Sequence, residues 1–156
     1  MDINSLYIEN IKDIGEKSKI VEEVLLDLPE WFGLSESTKS YIEESKKLVL
    51  FAAKNDDKII GFITLKKTSE DVCEVHCMGI KKEYHRKGIG KRLHATLEEF
   101  AKQKYEYIQV KTVDEGYYEE YNQTVHFYKN VGFKKMEVFP KLWDEWNPCL
   151  ILIKKI

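Results

Sequence analysis

A ten-residue segment from Tyr84 to Leu93, YHRKGIGKRL, combines closely spaced glycines with cationic side chains. Glycine lets backbone amides approach an anion, because it has no Cβ and tolerates left-handed backbone conformations. Amides at the start of a helix, the helix dipole and nearby cations together favour phosphate. The segment therefore predicts a diphosphate site in which backbone amides bind the phosphate oxygens and cationic side chains screen their negative charge. The residues concerned are Arg86, Lys87, Gly88, Gly90, Lys91 and Arg92.

Two titratable side chains lie in the apolar segment Val72 to Ile80, VCEVHCMGI. Because successive side chains of a strand point to opposite faces, Glu74, His76 and Met78 share one face. A buried charge without a role is costly, so this face is a candidate for chemistry. Two structural explanations stay open: His76 as a hydrogen-bonded core residue and Glu74 as a residue at a solvated strand end.

The first half of the chain contains the elements that would precede this strand. Hydrophobic periodicity and proline predict a strand, a helix, a second helix and a β-hairpin buried on both faces. They lie at Leu6 to Ile11, at Lys19 to Leu28 before Pro29, from Ser35 onward, and at Leu48 to Ala53 with Ile59 to Leu65.

The second half alternates helices and strands. An amphipathic helix with apolar Leu93, Leu97, Phe100 and Ala101 follows the glycine segment. The order predicts an α/β protein with a mixed sheet, and the absence of repeats and linkers predicts one domain, residues 1–156. The later elements are predicted at Tyr107 to Val113, Tyr121 to Asn130 before Gly132, Lys135 to Phe139 and Leu150 to Ile153.

Composition limits the possible partners. The 156 residues are 43% hydrophobic and 33% charged, which suits a compact domain with its own core. A net charge of -2 gives no overall attraction to nucleic acid, and no segment reaches the ~18 apolar residues of a membrane span. Three cysteines without C-x-x-C spacing favour neither a disulfide framework nor a metal site. We therefore predict a cytoplasmic protein without metal, nucleic-acid partner or membrane contact.

Two common nucleotide signatures do not fit the glycine segment. The Walker pattern G-x-x-x-x-G-K-[ST] requires four residues between its glycines, whereas one residue separates Gly88 from Gly90. The dinucleotide pattern G-x-G-x-x-G requires a third glycine where Leu93 or His94 stands.

Two segments resemble the motifs of a known family. MGIKKEYHRKGIGKRLHATLEEFA is similar to the [QR]-x-x-G-x-[GA] region of GNAT N-acetyltransferases, which binds the pyrophosphate of acetyl-CoA. Downstream, TVHFYKNVGF, Thr124 to Phe133, is similar to the family's A-x-x-F-Y-x-x-x-G-F signature. The motifs occur in the family's order, and the order of elements from Leu6 to Ile153 is also similar to the family's.

The resemblance implies a single α/β domain with a mixed, mostly antiparallel sheet flanked by helices. It also implies an acetyl-CoA site at the end of the Val72 to Ile80 strand and in the following loop. We interpret Gly79 as the position of a β-bulge, which would expose backbone groups of the strand to the pantetheine arm. The alternative is that glycine is needed there for close packing. The implied cofactor-binding residues are Met78, Gly79, Ile80, His85, Arg86, Lys87, Gly88, Ile89, Gly90 and Lys91.

The resemblance also implies catalytic roles. Tyr128 matches the tyrosine that usually faces the CoA sulfur and acts as general acid, with a core tyrosine as the alternative. The acceptor amine must be neutral, and Glu74 and His76 are the candidate bases, with relayed water as a third possibility. Because no serine, cysteine or lysine stands in a nucleophile motif, we predict direct transfer.

Two tryptophan-containing loops are candidates for the acceptor side, residues 28–35 (LPEWFGLS) and residues 142–148 (LWDEWNP). Glu30, Trp31, Trp143 and Asp144 are predicted to bind a cationic amine by charge pairing and cation-π contact, with aromatics that cap a core as the alternative. The predicted acceptor is a primary amine of a small molecule or a protein, and the enzyme is predicted to be a monomer or homodimer. The alternative function is a non-catalytic acyl-CoA-binding sensor or assembly module.

Overall fold

The computed structural model describes residues 3–33 and 35–156. Within these residues the chain forms four α-helices and seven β-strands. The helices are α1 (Ile14–Leu26), α2 (Ser35–Ser45), α3 (Ile89–Ala101) and α4 (Glu119–Asn130). The strands are β1 (Leu6–Ile11), β2 (Val49–Asn55), β3 (Lys58–Lys67), β4 (Val72–Ile80), β5 (Tyr107–Val113), β6 (Lys134–Phe139) and β7 (Cys149–Lys155).

The strands are hydrogen-bonded in the order β1-β2-β3-β4-β5-β7-β6. Antiparallel pairing joins β1 to β2, β2 to β3, β5 to β7 and β6 to β7. Parallel pairing joins β4 to β5, from Val72↔Tyr107 to Val75↔Val110. The predicted α/β class with a mixed, mostly antiparallel sheet is therefore confirmed.

The chain divides into two compact units. The first comprises the described residues of Met1–Lys66 together with His76–Phe100, and the second comprises Lys67–Val75 together with Ala101–Ile156. Strand β4 thus contributes residues to both units. The prediction of one domain, residues 1–156, stays a prediction.

The core of the first unit forms where α1 packs on the strands. Side chains of α1 at helical spacing, Val21, Val24 and Leu25, are almost fully buried against Leu50 and Phe62. Burial of this kind stabilises by roughly 1.5–3 kcal/mol for each large apolar side chain.

Two glycines let backbone and side chains approach closely in this unit. A Cβ on Gly61 of β3 would lie 2.6 Å from the carbonyl oxygen of Gly79 on β4. A Cβ on Gly79 would lie 2.9 Å from Val24 Cγ1 and 3.2 Å from Leu28 Cδ1. Gly79 is therefore close-packed under α1, which accounts for glycine at this position by packing.

Most predicted elements match the structure. The bounds of β1, β4 and β5 are as predicted, and α2 begins at Ser35. The predicted start of α1 at Lys19 is wrong, because Asp13 accepts a hydrogen bond from the Glu16 amide at 2.8 Å and the helix begins at Ile14. The helix also ends at Leu26 rather than Leu28, although Leu28 is still buried.

In the second unit, α4 ends as the sequence predicts. Gly132 has a φ of +104°, a left-handed conformation that suits glycine after a helix. The Lys154 ammonium donates to the Val131 carbonyl at 2.7 Å, so a side chain of β7 binds this helix end. Within the described parts of the chain, no helix is both long enough and apolar enough to cross a membrane.

Candidate functional site

The segment between β4 and α3 has a strongly bent backbone. A 3-10 turn at Lys82–Tyr84 follows β4, and then Arg86 and Gly88 adopt φ values of 63° and 76°. The side chain of Ile89, the first residue of α3, is only 1% exposed and holds the helix start against the core. A left-handed conformation at a residue with a Cβ costs about 1–2 kcal/mol, so Arg86 is kept in it by its surroundings.

This bend gathers backbone donors at the N-terminus of α3. The backbone amide of Arg92 donates to the Gly88 carbonyl at 3.2 Å. Among the described residues, no protein acceptor is found for the backbone amides from Arg86 to Lys91. A Cβ on Gly88 would meet nothing within 4 Å, so this side of the loop is open. Amides and the positive end of a 13-residue helix together form a site that is suited to an anion such as a phosphate.

His85 fixes the start of this loop. Its Nε2 lies 2.6 Å from the Ile80 carbonyl oxygen, and because a carbonyl only accepts, Nε2 carries the hydrogen. The ring also lies edge-on to Trp31, with centroids 5.8 Å apart. The side chain of His85 thus bridges the end of β4 and the loop that follows it.

Ionic contacts tie the same segment to α1 and the residues after it. Lys81 Nζ lies 2.6 Å from Glu23 Oε2, and the Lys82 amide donates to Asp27 Oδ2 at 2.8 Å. Lys82 also pairs with Glu30, and the hydrogen bond from its ammonium lowers the pKa of that carboxyl. Glu30, a predicted acceptor residue, therefore already has a cationic partner.

His76 uses both ring nitrogens within the protein. Nδ1 lies 3.2 Å from Thr64 Oγ1, and Nε2 lies 2.7 Å from Glu44 Oε2. The side chain is only 6% exposed, and its ring lies edge-on to Tyr41 at 5.2 Å. In this arrangement neither nitrogen points to an open site.

Glu74 has different surroundings. Its Oε1 accepts from Gln109 Nε2 at 2.9 Å and lies 3.5 Å from Lys111 Nζ. In the part of the chain that the structure describes, its Oε2 has no hydrogen-bond or ion-pair partner. The carboxylate is thus held by one oxygen, has a cation beside it, and keeps the other oxygen available for a proton.

Tyr128 lies on the buried side of α4. Its residue exposure is 4%, and its ring packs edge-on against Phe127 and Phe133, with centroid distances of 5.1 and 5.3 Å. The signature residues Phe127, Tyr128 and Phe133 thus form one aromatic cluster in the second unit.

The second predicted acceptor loop is exposed. Trp143 is 46% exposed, and Asp144 Oδ1 accepts from the amides of Trp146 and Asn147, both at 2.8 Å. Hydrogen bonds from the Asn147 side chain and from these amides lower the pKa of Asp144. Asp144 therefore organises its own loop.

Several partners of the candidate residues were not predicted from the sequence: Thr64, Glu44, Gln109, Lys111 and Lys82. The strand register pairs Gln109 with Glu74, and this register was the signal that the sequence alone lacked. Among the described residues, no group of three or more His, Cys, Asp or Glu side chains is placed to hold a metal ion.

Residues 18–133 match the family model described as acetyltransferase (GNAT) family. No curated protein matches the sequence.

Solved structures with this fold include enzymes from three organisms. An acetyltransferase from Streptococcus agalactiae superposes with a TM-score of 0.76 at 15% identity over 99% of this chain and 100% of its own. The PaiA N-acetyltransferase of Thermoplasma acidophilum in complex with coenzyme A gives 0.74 at 24% identity over 97% and 99%. A GNAT family acetyltransferase from Elizabethkingia anophelis with acetyl-CoA bound gives 0.71 at 16% identity over 98% and 99%. At these identities the likeness shows the fold alone.

Proposed function

Because the chain belongs to the acetyltransferase (GNAT) family, we propose that it transfers an acetyl group from acetyl-CoA directly to a primary amine of a small molecule or protein. Bound acetyl-CoA would supply an activated acetyl thioester. The observation that carries the proposal is the open set of amides from Arg86 to Lys91 at the start of α3. A diphosphate accepts such amides readily, and Lys87 and Lys91, both exposed, add screening charge.

The remaining cofactor assignments rest on the same loop. Met78 and Ile80 lie near the end of β4, where backbone groups can hydrogen-bond to a pantetheine arm. His85 acts as a positioning residue, because its Nε2–H is donated to the Ile80 carbonyl. Gly79 is proposed to support the cofactor site through its close packing. Gly90 is proposed to support it as a residue of the first turn of α3.

For the general base we favour Glu74 over His76. The Oε2 of Glu74 is available to take a proton from the amine, directly or through water, while its Oε1 is held by Gln109. Both nitrogens of His76 already have protein partners, so we assign it the role of holding α2 against β4.

Tyr128 is the proposed general acid. A phenol is able to return a proton to the departing thiolate, and the aromatic cluster around it excludes water and fixes the ring.

The burial of all three cysteines supports direct transfer without a covalent enzyme intermediate. Cys73, Cys77 and Cys149 are all free and buried. Burial raises the pKa of Cys73 and of Cys149 to about 11, and burial raises that of Cys77 as well. A thiol needs to be a thiolate to attack a thioester, so these residues are poor candidates for a covalent intermediate.

The acceptor side is proposed to involve Glu30, Trp31, Trp143 and Asp144. Trp31 contacts His85 and therefore lies beside the cofactor loop. Both acids already bind protein groups, so the tryptophans are better placed than the acids to hold a cation. The cytoplasm is the proposed location, consistent with three unpaired thiols, and a monomer or homodimer is the proposed state.

An amine panel tests the function. Release of CoA thiol from acetyl-CoA would be measured with monoamines, polyamines, aminoglycosides and peptides that carry a free N-terminus or lysine. Acetylated product formed together with thiol supports the transferase. Tight acetyl-CoA binding without thiol release for any amine would support the alternative, a non-catalytic acyl-CoA sensor.

A further inference from the structure

The two faces of the sheet in the second unit differ in polarity. On one face the side chains of β5 and β7 are almost fully buried, as Val110 and Leu152 show. On the other face of β5, Gln109 is half-buried and Lys111 is exposed. Glu74 of β4 lies on this second face too, because the parallel register pairs it with Gln109. Polar and charged groups therefore face outward from central strands of the sheet.

Glu74 and Lys111 form an ion pair on this face that is open to a ligand. Lys111 Nζ lies 3.5 Å from Glu74 Oε1, and Gln109 donates to that same oxygen at 2.9 Å. Across the described residues, the Lys111 ammonium has no other ion-pair partner and no hydrogen bond, and Glu74 Oε2 has neither. The Lys111 side chain is 38% exposed. The pair thus offers a ligand one carboxylate oxygen and an ammonium group with hydrogens to donate.

We propose that this ion pair selects free α-amino acids as acceptors, with the acceptor carboxylate bound by Lys111 and its amine facing Glu74 Oε2. This inference rests on the proposed function, in which Glu74 is the general base. An ion pair has a negative and a positive end, and a zwitterion that lies against it in the opposite sense satisfies both. An α-amino acid carries its ammonium and carboxylate on the same carbon, so both groups can reach one ion pair.

An amine without a carboxylate fits this pair less well. Glu74 attracts its ammonium but Lys111 repels it, because charges in a partly buried site are poorly screened. A carboxylate next to the amine replaces that repulsion by an attraction. The side-chain amine of a protein lysine and the N-terminus of a peptide both lack this adjacent carboxylate. The charges therefore favour free amino acids over polyamines and proteins.

The neighbouring strand adds apolar surface beside these charges. In the antiparallel register Ile151 of β7 is opposite Lys111 and Ile153 is opposite Gln109, so the members of each pair share a face. Ile151 is buried, whereas Ile153 is half-buried and keeps some contact with solvent. An apolar acceptor side chain would be stabilised by covering Ile153. Leucine and phenylalanine are therefore the acceptors to test.

In the transfer Lys111 acts on binding and Glu74 on the chemistry. Glu74 takes one proton from the α-ammonium, and the neutral nitrogen then bonds to the acetyl carbon while the carbon–sulfur bond breaks. The nitrogen gives up a second proton and the departing thiolate gains one. The products are an N-acetyl amino acid and CoA thiol, with one proton left on Glu74. Lys111 keeps its charge throughout.

The test compares acceptors that differ only in the carboxylate: leucine with isoamylamine, and phenylalanine with phenethylamine. The amines of each pair have similar basicity, and a ratio of kcat/KM values does not depend on the amount of folded enzyme. We expect the wild type to favour the amino acid by about ten- to a hundredfold in kcat/KM, mostly through KM, as one hydrogen bond to a charged group predicts.

Three variants carry the comparison further. In Lys111→Gln the ratio should fall to about threefold or less, because the carboxylate loses its cation while both acceptors still use the same base. Lys111→Arg keeps the charge and should retain most of the preference. Lys155→Gln removes an exposed lysine at the end of β7 and is the matched control, with the wild-type ratio expected.

Several results would overturn the acceptor class while the transferase function stands. They are a ratio near one in the wild type, a wild-type ratio in Lys111→Gln, an equal loss of the ratio in Lys155→Gln, and reaction of other amines when neither amino acid reacts. Absence of thiol release with every amine would instead contradict the proposed function, and the acceptor class with it.

Discussion

The Nε2 atom of His76 lies 2.7 Å from a carboxylate oxygen of Glu44, a contact that joins β4 to α2. On the other side of the ring, Thr64 donates its only hydroxyl hydrogen to the Cys77 carbonyl and must therefore accept from His76 Nδ1. We therefore predict that His76 Nδ1 carries a hydrogen. Two-bond proton–nitrogen NMR correlations of the imidazole would measure it, and an unprotonated Nδ1 would contradict this hydrogen-bond arrangement.

Replacing Glu74 should separate the candidate bases. In Glu74→Gln the side chain still accepts from Gln109 but cannot take a proton, so kcat should fall by about 10²- to 10⁴-fold. His76→Gln is the control: it should lower the free energy of unfolding by about 1–3 kcal/mol while the pH limb of kcat remains. The measurements are pH-rate profiles and urea unfolding. Loss of that limb in His76→Gln, with Glu74→Gln unaffected, would reverse the assignment.

Gly88→Val should abolish detectable CoA binding. The substitution strains a backbone with a φ of 76° and fills the open side of the amide cluster. Gly116→Val is a matched control, because Gly116 has a φ of 98°, also has open space around a Cβ, and lies outside the proposed site. Calorimetric titration should show normal CoA binding in the control.

Lys87→Ala should weaken CoA binding in a salt-dependent manner, because its ammonium adds screening charge to contacts made by amides. The affinity ratio of wild type to variant should shrink as salt rises from about 50 to 500 mM. Equal losses in Lys87→Ala and Gly88→Val would refute the ranking of amides over cations.

Tyr128→Phe should lower kcat by about 10²-fold or more with little change in acetyl-CoA affinity. The ring keeps its packing against Phe127 and Phe133, so the thermal midpoint should stay close to that of the wild type. Single-turnover transfer and differential scanning calorimetry would measure the two effects. Wild-type turnover in this variant would leave Tyr128 as a core residue.

We predict that the folded protein loses stability at high pH, where Lys54 gives up its proton. Burial alone would lower the pKa of Lys54, but hydrogen bonds to Glu16 and Glu9, both at 2.9 Å, raise it to about 12. Because the folded pKa exceeds the unfolded one, this stabilisation is present below about pH 10.5 and is lost as pH rises through about 12. Its size is on the order of 2 kcal/mol.

Urea unfolding between pH 9 and 12 should therefore show a shallower decline in Lys54→Met than in the wild type. Lys67→Met, which removes an exposed pair with Glu70, should follow the wild-type curve. Parallel curves for wild type and Lys54→Met would mean that the ion pairs add no net stability.

The sequence predicted the elements well because hydrophobic periodicity and the turn residues that end an element are both local in sequence. Strands β1, β4 and β5 have their predicted bounds, since apolar residues and turn residues delimit them sharply. The start of α1 was wrong because Lys19 begins the apolar stripe, whereas the Asp13 cap lies more than a turn earlier on a polar stretch. Caps act on amides of the first turn and leave no trace in hydrophobic periodicity.

The contacts of the candidate catalytic residues were harder to predict from the sequence. Alternation placed Glu74 and His76 on one strand face, but their partners come from β5, α2 and β3, far away in sequence. Gly79 shows the same limit, because its neighbours are Val24 and Leu28 of a segment more than fifty residues earlier. Register and packing decide these roles, and a single sequence carries neither.

The two close-packed glycines of the first unit differ in how evolution can replace them. Gly79 is restricted by the side chains of Val24 and Leu28, so a smaller residue at position 24 makes room for alanine at position 79. Gly61 is restricted by the Gly79 carbonyl oxygen, an atom that every amino acid carries. Position 79 therefore admits compensated change, whereas position 61 has no compensating partner and is held at glycine for as long as β3 and β4 keep their spacing.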